Sequence, residues 1–157
     1  MSKKILLMTS DELVGADILF LLEDLKLNFN IHLCQTVAQL ANILLEERIE
    51  LIVMDTYLPA VHDLSSIGKP EVNTLDGMWA GFAILEYFLR EENSPYRDIP
   101  VLLLTAKRLS KKEKELKEKL KVEYYIELYG PNWKQEFEEV ITQVKGGTVL
   151  CQLGTTG

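Results

Sequence analysis

Five short runs along the chain are apolar at nearly every position: residues 4–8, 30–34, 51–55, 101–105 and 122–128. A run without polar alternation fits a strand covered on both faces, as in a parallel sheet. Between these runs, apolar residues recur at helical spacing near 11–25, 37–48, 77–90, 111–120 and 132–144. Strands alternating with helices predict an α/β fold, and right-handed crossovers stack it as a three-layer sandwich of a five-stranded parallel sheet and about five helices. Start signals agree with the helix positions. Thr36 with Gln39 and Ser110 with Glu113 have capping-box spacing, Pro131 suits a first helical turn, and Thr9 with Glu12 offers a cap for the first helix.

Two segments break this economy. Residues 60–74 mix Gly68, Pro70, Asn73 and several Ser and Asp residues without periodicity, and read as a long loop inserted after the third strand. Residues 146–157 form a tail rich in glycine at both ends, which fits a frayed terminus, a linker remnant or a short added strand. The 157 residues suit one domain, here residues 1–145.

Charge and composition narrow the function. The net charge of −7 opposes general binding to nucleic acid. No apolar stretch reaches the ~20 residues that span a bilayer, and Met1-Ser2-Lys3-Lys4 leads directly into a strand-like run, so a cytoplasmic protein with no membrane partner is expected. Cys34 and Cys151 have neither metal-ligand nor disulfide-framework spacing. Residues 107–121 carry eight of the 17 basic residues. Glu113 with Lys117 and Glu115 with Lys119 are favourable i,i+4 pairs, so a solvated helix face is preferred over an anion-binding one. Trp79, Phe82, Tyr87 and Phe88 fit a helix with a large apolar face, and His62 beside Asp63 lacks a second His or Cys to make a metal site.

The informative polar residue is Asp55, which ends the run Leu51-Ile52-Val53-Met54 and opens Asp55-Thr56-Tyr57-Leu58-Pro59. Reacting groups in open α/β sheets gather at the carboxyl ends of such strands. This segment, with Lys3-Lys4-Ile5-Leu6-Leu7, the later Leu75-Asp76-Gly77 and the run from Asp98 to Ala106 ending in Thr105-Ala106, resembles the receiver domain of two-component response regulators over about residues 3–145. The resemblance implies a CheY-like, flavodoxin-like fold and a signalling module rather than an enzyme, with no catalytic residue to assign. It implies that a phosphoryl group passes from a phosphohistidine onto Asp55, with Mg²⁺ held by an acidic pair after the first strand. A Lys near the end of the fifth strand adds positive charge, and Thr105 with Tyr125 (Tyr124 being the other choice) forms a Thr–aromatic switch.

This chain departs from that pattern at two places. Thr9 and Ser10 stand at the acidic positions, and Glu127 or Leu128, followed by Tyr129, stands where Lys and Pro are expected. Losing about 3 kcal/mol of metal stabilisation slows transfer more than 100-fold. The first expectation is therefore a degenerate, or pseudo-, receiver of a phosphorelay that acts by protein–protein contact, with phosphorylation at Asp55 weak or absent. Its partner would be a histidine kinase or another signalling protein, and a homodimer through the fourth helix, fifth strand and fifth helix is the expected assembly. A second reading is a working receiver whose Mg²⁺ sits on Asp11, Glu12 and Asp55, completed by Asp63 or Glu71. A third is a small-molecule sensor that reuses the strand-end pocket. No cofactor is assigned outside the second reading.

Overall fold

The five apolar runs become β1 (Lys3–Met8), β2 (Phe29–Cys34), β3 (Leu51–Asp55), β4 (Val101–Thr105) and β5 (Tyr124–Glu127) of one parallel sheet in the order β2-β1-β3-β4-β5. The structure, a computed structural model, describes residues 3–25 and 29–146, so Cys151 and the tail from 147 lie outside the described residues. The helices are α1 (Glu12–Asp24), α2 (Val37–Glu46), α3 (Ala80–Ile84), α4 (Lys111–Lys119) and α5 (Trp133–Gly146). The doubly wound α/β class read from the sequence is the fold observed. Among the described residues no helix is long and apolar enough to cross a membrane.

Strand periodicity divides the core in two. Leu6, Met8, Ile52, Met54 and Leu103 point to one face and pack with Leu40 and Leu44 of α2 and Phe82 and Ile84 of α3. Ile5, Leu7, Val53, Leu102 and Leu104 point to the other and pack with Ile18 and Leu22 of α1 and Phe137 and Ile141 of α5. Side chains alternate across a pleated strand, so one central strand feeds both layers. Covered on both sides, β3 is buried along its whole length.

Local signals decide most helix starts. Both capping boxes form, at Thr36 with Gln39 and at Ser110 with Glu113. At α1 the expected cap is wrong: Asp11, not Thr9, is the N-cap, its Oδ1 accepting from the N–H groups of Leu13 at 3.0 Å and Val14 at 3.1 Å. The reason is that the Thr9 hydroxyl is committed elsewhere in the fold. Pro131 falls just ahead of α5 rather than in its first turn, and the Asn132 carbonyl accepts the bond from Glu136 N–H. The helix expected from residue 77 begins at Ala80 instead, because Leu75, Asp76 and Gly77 have φ of 53°, 55° and 87°, which no right-handed helix accommodates. It continues past Ile84 as a π-helix, Leu85–Leu89. Phe82 is fully buried and Trp79 and Phe88 pack against the core, as the aromatic face predicts, while Tyr87 is partly exposed.

The segment 60–74 is more ordered than its composition suggests. Val61 and Leu64 are buried, residues Ser65–Ile67 form a 3₁₀ turn that ends on Gly68 at φ 78°, and Leu64 bridges Lys69. Thr74 is fully buried, and its hydroxyl lies 2.8 Å from the Val61 carbonyl and 2.9 Å from that of His62. Apolar anchors at Val61 and Leu64 offset the ordering cost that a purely polar loop could not meet.

Two contacts tie α3 to the end of β3. Gly81 N–H donates to the Thr56 carbonyl at 3.1 Å, and Leu58 N–H donates to the Gly77 carbonyl at 2.9 Å. A Cβ at Gly81 would lie 2.5 Å from the Asp55 carbonyl oxygen and 2.8 Å from Thr56 Cα. Both are backbone atoms that cannot turn aside, so Gly81→Ala is expected to cost roughly 1–3 kcal/mol by overpacking. Urea unfolding followed by circular dichroism measures this as a lower midpoint.

Candidate functional site

The end of β3 places Asp55 beside the ends of β1 and β4, through the registers Met8↔Met54 and Asp55↔Leu104. Asp55 is 8% exposed, and its carboxylate is held by a single side chain: Thr9 Oγ1 donates to Oδ2 at 2.5 Å, while Oδ1 is buried without a hydrogen-bond partner. Burial pushes the Asp55 carboxyl up to about 6. The Thr9 hydroxyl and the Ser10 N–H oppose that rise, and the nearby negative charge of Asp11 reinforces it. A carboxyl at the carboxyl end of a buried strand, half-satisfied and titrating near neutrality, has the marks of a functional position.

A cleft of about 460 Å³ opens over it, lined by Ser10, Asp11, Glu12, Thr56, Ala106 and Leu128 among others. The structure places Asp55, Thr9, Ser10, Asp11 and Glu12 around this strand end. It also settles the alternative at the fifth strand. Leu128, just after β5, faces the cleft, and its N–H donates to the Thr105 carbonyl at 2.8 Å. Glu127 instead accepts from the hydroxyl of Tyr125 at 3.3 Å and from that of Tyr129. On this side the cleft wall is the apolar side chain of Leu128.

The donor set does not fit Mg²⁺. The ion needs several hard oxygens in octahedral array. Asp11 Oδ1 is taken by two helix N–H groups and Asp55 Oδ2 by Thr9, and Asp55 Oδ1 is buried away from other ligands. Among the described residues no group of three His, Cys, Asp or Glu side chains could hold a metal ion. Asp63 and Glu71 do not complete the set. Asp63 Oδ1 accepts from Ser65 N–H at 2.8 Å, in a separate hollow beside the start of α2 with His62, and Glu71 lies in the turn that follows Pro70.

Thr105 and Tyr125 sit on neighbouring strands but are turned to local partners. The Thr105 hydroxyl donates to the Lys107 carbonyl at 2.9 Å and accepts from Lys107 N–H at 3.3 Å. Tyr125 lies with Lys117 Nζ 5.6 Å from its ring centre. Partial burial and then the Glu127 charge raise its phenol well above the usual range. The expected pairs on α4 rearrange as well. Glu113 turns inward to complete the cap and is buried, with Lys107 Nζ 3.6 Å away, and Lys117 pairs with Glu118 at 3.2 Å. Cys34 is buried, which pushes its thiol up to about 12 and disfavours the thiolate.

What sequence reasoning missed at the site is the Thr9–Asp55 hydrogen bond. Its signal was present, since a hydroxyl two residues before a helix cap lies next to the end of β3 whenever β1 and β3 are neighbours.

No family model matches the chain, and no curated protein matches it. Solved structures do. The chemotaxis response regulator CheY4 of Vibrio cholerae matches at 14% identity and a TM-score of 0.62, over 92% of this chain and 99% of that one. A signal receiver domain of a two-component histidine kinase from Clostridium thermocellum matches at 18% and 0.66, over 92% and 98%. The receiver domain of the sensor histidine kinase PA1611 from Pseudomonas aeruginosa PAO1, with a magnesium ion coordinated in its active-site cleft, matches at 18% and 0.64, over 94% and 100%. At such identities the likeness is one of fold, and the chain has the fold of CheY-like response-regulator receiver domains.

Proposed function

We propose that the chain is a degenerate receiver module of a two-component signalling pathway, which works by contact with a histidine kinase or another signalling protein and in which phosphorylation of Asp55 is weak or absent. The observation that carries this reading is the environment of Asp55. Its carboxylate is hydrogen-bonded by Thr9 and shares its cleft with Leu128, and no three His, Cys, Asp or Glu side chains among the described residues gather to hold a metal ion. Phosphoryl transfer depends on positioning and on neutralising the charge that develops on the phosphoryl oxygens. Neither a cation-binding set nor a Lys is there to do so.

Incubating the chain with acetyl phosphate and Mg²⁺ and weighing it intact is expected to show little or no phosphoryl adduct. A rapid, stable adduct that disappears in Asp55→Ala overturns the reading in favour of a working acceptor.

The same environment makes stability depend on pH with a defined sign. The folded-state carboxyl titrates near 6 against an ordinary value of 3.8, so folding favours the protonated form. The associated stability is fully present below the unfolded value and is lost as pH rises through about 6. A shift of about two units corresponds to an upper limit of about 3 kcal/mol. Asp55→Asn keeps an acceptor for Thr9 and removes the charge. It is expected to be more stable than the parent by roughly 1–3 kcal/mol at about pH 8, with the difference closing at about pH 4. Denaturant titrations across that range measure both. Thr9→Val removes the hydroxyl that favours the charged form, so its pH-dependent loss of stability is expected to finish at a higher pH than in the parent. An unchanged profile would show that Thr9 does not control the carboxyl.

A further inference from the structure

Spacing along α4 pairs its lysines with glutamates of the same helix, and the fold leaves that neutralisation undone. Glu113 turns inward to the cap at Ser110, and among the described residues neither Lys112 nor Lys119 has an ion-pair partner. Seven positions separate the two lysines, so they share one face of the helix and stand about 10 Å apart along its axis. Both line a groove of about 560 Å³ between α4 and the helix that runs from α3 into its π-helical end.

The other lining residues are placed there in unusual ways. Trp79 forms part of the wall, with Lys112 Nζ 5.9 Å from its ring centre. Glu86 and Tyr87 reach the groove from the π-helix Leu85–Leu89, a rare kind of turn that recurs at functional positions. Leu75 also lines it, 54% exposed and on backbone with φ 53°, a region that L side chains seldom adopt. An apolar side chain held in water on strained backbone marks a surface that gains by being covered.

The charges select the occupant. Lys112 and Lys119 suit two carboxylates about 10 Å apart, the span of three residues in an extended peptide. Glu86 and Glu115 line the same groove, neither of them ion-paired among the described residues, and a continuous run of phosphates would be repelled by both. A peptide avoids that conflict, because its acidic side chains go to the lysines while its N–H groups donate to the carboxylates. Trp79 and Tyr87 then receive an apolar side chain lying between the two acidic ones.

We infer that the α3–α4 groove docks an extended acidic segment of a protein partner, with two acidic residues three positions apart on Lys112 and Lys119 and an apolar residue between them against Trp79 and Tyr87. The inference rests on the reading that the chain works by protein contact, and it names the surface and the chemistry of that contact. It does not depend on the state of Asp55. A phosphoryl adduct and peptide binding are separate measurements, so the failure of either reading is distinguishable from the failure of the other.

The test is to pan a display library of random peptides about 12 residues long on the full chain, and to measure enriched peptides by Trp79 fluorescence in a Trp133→Phe background. Enriched sequences are expected to carry the acidic pair with an apolar residue between, and to shift the Trp79 emission. Lys112→Glu combined with Lys119→Glu is expected to weaken binding about tenfold or more. Lys111→Glu combined with Lys114→Glu makes the same change of charge on exposed lysines outside the groove, and is expected to leave affinity within about twofold. Circular dichroism confirms that each variant folds, and Tyr87→Ala, expected to weaken binding several-fold, decides the matter should the groove lysine pair unfold. No enrichment, enrichment without the acidic pair, or equal loss in the two lysine pairs overturns the proposal. A single-stranded DNA oligomer that binds more tightly than the peptides, with the same dependence on Lys112 and Lys119, overturns it in favour of nucleic acid.

Discussion

Everything at the site follows from covering β3 on both faces. Leu51, Ile52, Val53 and Met54 are fully buried, pointing alternately into the α2–α3 layer and the α1–α5 layer. Each such side chain contributes roughly 1.5–3 kcal/mol by leaving water. A strand sunk this deeply can carry a charged group only at its end, so Asp55 is the first position where a carboxylate is tolerable. Even there it is desolvated. The penalty of about 3 kcal/mol is small beside the burial of the four residues that put it there.

Burial also explains how the surroundings of Asp55 depart from the receiver pattern. Several carboxylates gathered in one cleft repel each other and need a cation to coexist. Here the Thr9 hydroxyl stabilises the charged form of Asp55, and Asp11 is diverted to the start of α1. Leu128 over the cleft is compatible with that arrangement, because a site with one hydrogen-bonded carboxylate does not require a facing Lys. Thr9, Ser10 and Leu128 thus form a consistent set. Each lowers the local need for the charge that another would have supplied.

The strands were legible because uninterrupted apolar runs report two-sided burial, and two helix starts were legible because their capping boxes are local. Thr9 misled for a definable reason. Capping-box spacing records what a hydroxyl could reach within its own helix, whereas its partner here is 46 residues away and reaches it only through β1–β3 pairing. Glu113 misled in the same way, since its spacing to Lys117 fits an exposed pair but the cap at Ser110 draws it inward. The late start of α3 rests on left-handed Leu75 and Asp76, which no simple propensity predicts for non-glycine residues. Glu127 and Leu128 could not be told apart by number. The register Thr105↔Glu127 separates them by turning successive side chains to opposite faces.

The segment 60–74 is held so that it does not disturb the end of β3. Thr74 ties its far end back to Val61 and His62, near its beginning, and Gly77, just beyond it, bonds Leu58, just before it. The chain can therefore leave β3 and return to α3 with the two ends fixed against each other, and the residues between them are free to differ without moving Asp55. Closing a loop in this way costs little more as the loop lengthens. New surface can thus be added beside the strand end at small energetic cost while the buried frame is left alone. It is in such an added surface, residues 60–74, that the chain can vary without cost to the frame that holds Asp55.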